Sequence, residues 1–152
     1  MNTKAIELPK NYKLSLFHDA RHFQILFLGS FLVMVLFAND FPKEYLFQIG
    51  ATISSFAFQL LFTHFTTKNY NSWKSALITS LGLSLLLKVD AIHWVFLATF
   101  IAIATKFLIK YKGKHIFNPA NVGVVATILI TQNAWISPGQ WGSNIIYLLL
   151  AL

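Results

Sequence analysis

The stretch from Leu46 to Thr67, LFQIGATISSFAFQLLFTHFTT, decides the fold class, because it is a long apolar run without Lys, Arg, Asp or Glu. An α-helix rises about 1.5 Å per residue, so a helix over this run would cross a hydrocarbon core of about 30 Å. The run therefore predicts a transmembrane helix.

Outward from this run, the same apolar pattern recurs on both sides, separated by short polar segments. The third run, Ser75–Leu87, is short for a span, and the tight turn Lys88-Val89-Asp90 follows it. The sixth run, Ile145–Leu152, has too few residues to cross a membrane, so we expect the natural chain to continue. The other apolar runs are Phe23–Ala38, Ser75–Leu87, Ala91–Ile109, Ile116–Thr131 and Ile145–Leu152.

The composition supports the same class. Hydrophobic residues make up 56% of the 152-residue chain and charged residues only 11%, against about 25% charged in an ordinary soluble domain. The absence of Cys excludes disulfides and thiolate-bound clusters. We predict an all-α, polytopic transmembrane bundle over residues 23–152, preceded by a basic tail over residues 1–22.

The basic residues predict the orientation of the bundle. The net charge is +7, but the cations lie between apolar runs rather than in a nucleic-acid-binding patch, so nucleic acid is set aside as a partner. Lys43 and Lys88 fall on one side of the predicted membrane. The other ten basic residues fall on the opposite side, which predicts a cytoplasmic N-terminus; they are Lys4, Lys10, Lys13, Arg21, Lys68, Lys74, Lys106, Lys110, Lys112 and Lys114.

A polar stripe runs along the Leu46–Thr67 helix. Its members recur at steps of three or four and so share one helix face. Lipid cannot hydrogen-bond to them, so this face must meet a helix, a cavity or a cofactor. Packing between helices and the lining of a ligand site are both open. The stripe consists of Gln48, Thr52, Ser55, Gln59 and Thr63. The predicted helix over the Ala91–Ile109 run has small residues on one face, which predicts close packing against another helix. These residues are Ala98, Ala102 and Thr105.

The segment Lys114–Gly123, KHIFNPANVG, contains the sharpest local signal. Asn118 is a strong N-cap and Pro119 is favoured at the first helical position, so a helix should begin there. Apolar residues before Asn118 place this start at or inside the membrane. Broken membrane helices use such N-termini to hold polar or anionic groups. An ordinary helix cap at the cytoplasmic surface is the alternative.

The rest of the chain offers no catalytic constellation. The five His residues are scattered, and none of their spacings predicts a metal site within the membrane. The carboxylates Asp40, Glu44 and Asp90 lie in predicted outer loops, and the Gly residues form no phosphate-binding motif.

The segment KHIFNPANVG, with the Ala91–Ile109 helix before it, resembles membrane subunits of the NqrB/RnfD/RnfE family. The opening Asp19-Ala20-Arg21-His22-Phe23-Gln24-Ile25 is similar to its RnfD-type, UnbU-like branch. The resemblance covers the N-terminal half of a typical member. It implies a urea-transporter-like half repeat, broken at Asn118-Pro119, in a bacterial cytoplasmic membrane.

The resemblance further implies an ion-translocating, flavin-dependent electron-transport complex with other membrane subunits as partners. FMN or riboflavin would then be the cofactor, and Asn118, Pro119, Ala120 and Asn121 are the cofactor-binding candidates. The Ser-Gly-Ala-Thr-like segment that carries covalent FMN in such subunits is absent here. Two alternatives are a small-solute channel or transporter of similar fold without redox activity, and a structural membrane protein whose polar stripe serves only assembly.

Overall fold

A computed structural model describes residues 19–38, 42–66, 68 and 70–137. Within these ranges the chain is mainly helical, as predicted, with short strands at the helix ends. The helices are α1 (Ala20–Ala38), α2 (Pro42–Thr66), α3 (Trp73–Leu86), α4 (Ile92–Leu108) and α5 (Pro119–Thr131). The strands are β1 (Leu87–Val89), β2 (Lys110–Tyr111), β3 (Lys114–His115) and β4 (Ala134–Ile136).

The strands fix how the helices are connected in space. β1 pairs antiparallel with β4, with Lys88 opposite Trp135, which brings the C-terminal ends of α3 and α5 together. β2 and β3 form a hairpin between the end of α4 and the start of α5. At that same end, Lys74 of α3 forms an ion pair with Asp19 at 2.9 Å. The bundle thus has two ends.

We call the two ends of the bundle the basic end and the sheet end. The basic end comprises Asp19, the first turns of α1, α3 and α5, the last turns of α2 and α4, and the β2–β3 hairpin. The sheet end comprises β1 and β4 with the helix ends that lead into them.

Small residues let α4 and α5 approach closely. Ala98 and Ala102 are fully buried. A Cβ on Gly123 would lie 2.6 Å from the Ala98 carbonyl oxygen and 2.9 Å from the Ala102 Cβ. Only glycine fits there, because a methyl group would overlap the α4 backbone. The prediction of close packing on the Ala98 and Ala102 face is confirmed.

Several predicted boundaries are corrected. Helix α1 begins at Ala20, so the basic tail does not extend to His22. Leu87 and the residues of the predicted tight turn at Lys88 and Val89 form β1, whose backbone groups pair with β4. The predicted fifth run begins with Ile116 and Phe117, which follow β3 and are not helical; its helix begins at Pro119 with Asn118 as N-cap, as the cap chemistry predicted. The tail before Asp19, residues 39–41 of the predicted outer loop and the run from Ile145 lie outside the described residues. Glu44, predicted in that loop, belongs to the first turn of α2.

Among the described residues, α2 contains the one segment long and apolar enough to cross a membrane, Tyr45–Thr66, with a mean hydropathy of 1.4. The apolar segments of the other helices are shorter. Membrane association is thus supported by one helix, and the polytopic arrangement stays a prediction.

Candidate functional site

The polar stripe of α2 lies against the other helices. Four members are buried, and Thr52 is half-buried, where its hydroxyl donates to the Gln48 carbonyl oxygen of its own helix at 2.9 Å. The buried members are Gln48, Ser55, Gln59 and Thr63. Ser55 Oγ is fully enclosed and has no hydrogen-bond partner among the described residues.

Toward the basic end, the stripe contacts other elements through Gln59. The Gln59 amide nitrogen donates to Ser72 Oγ at 2.9 Å and to Thr63 Oγ1 at 3.3 Å. Its amide oxygen accepts from Lys106 Nζ at 2.6 Å. An ammonium group can only donate, so the amide orientation is fixed by Lys106. Gln59 therefore joins α2, α4 and the residue before α3.

Lys106 is the unexpected member of this group. Its prediction as a loop cation is wrong, because it lies in the last turn of α4 and is only 8% exposed. Its position continues the buried face of α4, following Thr99 and Ala102 at helical spacing. That periodicity was the signal that could have identified it.

Two adjoining cavities open beside this network at the basic end. The first, about 300 Å³, is lined by Gln59 and Lys106 and by further polar side chains. The second, about 360 Å³, reaches the start of α5 at Asn118 and Pro119. Both cavities are lined by Arg21, Ser75 and His115, and Lys110 also lines the first.

The acidic group nearest these cations is already engaged. Asp19 accepts from Lys74 Nζ at 2.9 Å and from the Arg21 backbone N–H at 3.1 Å. Those two hydrogen bonds lower the pKa of the Asp19 carboxyl below its usual value, so the carboxylate stays ionised and balances Lys74. The cavities themselves keep an excess of positive charge.

The start of α5 follows the predicted cap chemistry. The Asn118 side chain accepts from the Ala120 N–H at 3.1 Å, and Pro119 occupies the first turn. The Val122 N–H donates to the Asn118 carbonyl oxygen at 3.1 Å. Pro119 has no N–H, so Asn121 alone supplies a first-turn N–H without an acceptor among the described residues. This helix start offers fewer donors than an uncapped one.

The four cofactor-binding candidates are therefore not equivalent. Asn118 and Asn121 are exposed, and Pro119 lines the second cavity beside Arg21. Ala120 is buried, and its Cβ lies 2.9 Å from the position of a Cβ on Gly82. Ala120 packs between α3 and α5, and together with Asn118 and Asn121 it lines a further cavity of about 340 Å³, whose other walls are mainly apolar side chains of α1 and α3.

The sheet end has a cavity of a different kind. It measures about 270 Å³ and is lined mainly by apolar residues of α2, α3, β1 and α4, with Gln48, Ser84 and Lys88 as polar exceptions. The Ser84 hydroxyl is buried without a hydrogen-bond partner among the described residues. The two ends could hold different groups: an anion at the basic end, and a small neutral molecule at the sheet end.

Comparison of the chain with models of known families, with curated proteins and with solved structures found no match.

Proposed function

We propose that this chain is a multi-pass membrane subunit of an Rnf/Nqr-like, flavin-dependent electron-transport complex. The observation that carries this proposal is the position of the Asn118-Pro119 helix start, which lines the same cavity as Arg21 and His115. The segment that resembles the family therefore lies beside a cationic cavity. Such a cavity complements the phosphate of FMN.

The short helices are compatible with several membrane crossings. Helix α3 has 14 residues, about 21 Å, and the three residues of β1 extend it by about 10 Å. Helix α5 is followed in the same way by β4. Because β1 and β4 pair with each other, the backbone groups on their facing edges are hydrogen-bonded, as lipid could not satisfy them. Helix plus strand reaches about the thickness of the hydrocarbon core.

The residues fit a non-covalent flavin phosphate better than a covalent one. Arg21, Lys106 and Lys110 would meet the phosphate, and the Ser-Gly-Ala-Thr-like attachment segment is absent. A bound flavin would supply one- and two-electron transfer. The chain would bind and orient it and keep its phosphate at the basic end.

The proposed function is tested by purifying the full-length protein from its native membrane with its partner subunits. We expect flavin absorbance in stoichiometric amount, and release of the flavin into the supernatant after acid precipitation. A flavin-free preparation from an intact complex would contradict the proposal.

The orientation is tested separately by single-Cys labelling, which is clean in a chain without Cys. A membrane-impermeant reagent applied from outside should modify Cys at Glu44 and leave Cys at Lys112 unmodified. Labelling of both positions would contradict a cytoplasmic basic end.

The second candidate function is a small-solute channel or transporter. The buried polar stripe favours it, because Ser55 and Ser84 have unpaired buried hydroxyls along the bundle, with cavities at both ends. Solute flux in proteoliposomes containing flavin-free protein would favour this function over electron transport.

A further inference from the structure

The ammonium group of Lys106 has more hydrogen-bond donors than the protein satisfies. It carries three N–H donors, and its acceptor among the described residues is Gln59 Oε1, at 2.6 Å. The residue is 8% exposed and lines the first basic-end cavity. The remaining two donors therefore require acceptors that the described residues do not supply.

The charge of Lys106 is also uncompensated among the described residues. No described carboxylate lies within salt-bridge distance of it, since Asp19 pairs with Lys74 and Asp90 lies at the sheet end. Its charged neighbours, Arg21 and Lys110, are cations that line the same cavity. Burying an ammonium beside like charges is costly unless the group loses its proton or an anion pairs with it.

The cavity has the dimensions and lining of an anion site. Besides the three cations, Ser72, Ser75 and His115 add polar side chains to its wall. The adjoining cavity of about 360 Å³ gives room for a group attached to the anion. The positive end of the α5 dipole, at Asn118 and Pro119, lies at the far wall of that second cavity.

We propose that Lys106, Arg21 and Lys110 form a binding site for a phosphate group. A phosphate has several acceptor oxygens, which suits ammonium and guanidinium donors that converge from α1, α4 and the β2–β3 hairpin. The phosphate comes either from a soluble phosphate ester or from the headgroup of a lipid with net negative charge, since both present anionic phosphoryl oxygens. This inference deepens the proposed function, in which the same three residues would meet the flavin phosphate, but binding of inorganic phosphate tests the site separately from flavin content.

The test uses the full-length protein in nanodiscs of phosphatidylcholine, titrated with inorganic phosphate at constant ionic strength. We expect phosphate to raise the midpoint of thermal unfolding and to give a saturable binding isotherm. Lys106→Gln should weaken phosphate binding at least tenfold, because the removed ammonium is the buried cation of the site.

Two further variants keep the result interpretable. Arg21 is exposed, so Arg21→Gln should leave the fold intact and still weaken phosphate binding. Lys112→Gln is the matched control, because Lys112 is an exposed cation of the same end that does not line the cavity. It should bind phosphate like the wild type. Equal affinity in the wild type, Lys106→Gln and Arg21→Gln, or no binding by the wild type in either type of nanodisc, would overturn the proposal.

Nanodiscs of phosphatidylglycerol distinguish the two sources. If a lipid headgroup occupies the site, these discs should stabilise the wild type but not Lys106→Gln, and should suppress the response to inorganic phosphate. If a soluble ester is the ligand, the phosphate response should be the same in both lipids. Stabilisation of the wild type and Lys106→Gln to the same extent by phosphatidylglycerol, without a phosphate response, would contradict both versions.

Discussion

Helix α4 makes two contacts of opposite character, an apolar contact with α5 and a partly polar contact with α2. On one side, Ala98 and Ala102 pack against Gly123 of α5 without any polar side chain between them. On the other side, Phe100 lies against Phe58 and Phe62 of α2, and near the helix end Lys106 donates to Gln59.

The α4–α5 contact is made by small, buried residues that let the two helix backbones approach closely. The α2–α4 contact is incomplete, because it leaves two ammonium donors and an excess positive charge at a cavity. Close apolar packing holds α5 against α4, whereas the polar α2–α4 contact leaves ammonium donors of Lys106 facing a cavity.

The largest expected effect comes from breaking the α4–α5 contact. Gly123→Leu would place a side chain into the Ala98 carbonyl oxygen, and overpacking of this kind costs about 3 kcal/mol of unfolding free energy. The control is Gly29→Leu in α1, where nothing lies within 4 Å of an added Cβ. Its stability should be unchanged or raised, since Leu favours a helix more than Gly does.

Thermal unfolding in detergent compares the two glycine variants. A fall in the midpoint for Gly29→Leu as large as that for Gly123→Leu would mean that the close approach at Gly123 is not the cause.

An intermediate effect is expected from breaking the α2–α4 contact. Gln59→Leu removes the acceptor of a buried ammonium and should lower the free energy of unfolding by about 2 kcal/mol. Gln24→Leu is the matched control, because Gln24 is exposed on α1. Phe58 lies on another face of α2, but its ring packs edge-on against that of Phe100, with the ring centroids 5.4 Å apart. A substitution of Phe58 would therefore be a poorer control.

A double variant sharpens this comparison. In Gln59→Leu with Lys106→Met both partners become apolar, which is often nearly neutral where the loss of one is not. The double variant should therefore be more stable than Gln59→Leu alone. Additive losses in a double-mutant cycle would show that Gln59 and Lys106 do not interact.

The helix faces and the helix start that depend on local periodicity and cap chemistry could be predicted from the sequence. The α2 stripe and the Ala98 and Ala102 face follow helical spacing, and the start of α5 follows from Asn118 and Pro119. The β1–β4 pairing was not predictable, because Lys88-Val89-Asp90 resembles a turn and its partner is distant in the chain. Lys106 was misassigned because charge alone suggested a loop, although its helical spacing from Thr99 and Ala102 places it on the buried face of α4.

The smallest expected effect concerns Asn118, the N-cap of α5. Asn118→Ala removes the acceptor of the Ala120 N–H and should cost about 1 kcal/mol of unfolding free energy. Asn121→Ala is the control, since Asn121 is exposed and makes no described side-chain hydrogen bond. Equal stability of the two variants would mean that the cap does not stabilise α5.

Asn118→Asp separates the cap from the ligand. Aspartate caps a helix as well as asparagine does, and its charge suits the positive end of the dipole, so the variant should fold like the wild type. Because residue 118 also lines the cavity shared by Arg21 and His115, the added carboxylate should repel a bound phosphate and weaken phosphate binding several-fold. Unfolding midpoint and phosphate affinity, measured on the same preparation, then move independently. If Asn118→Asp binds phosphate as tightly as the wild type, Asn118 acts only as a helix cap, and the ligand is confined to the cavity around Lys106.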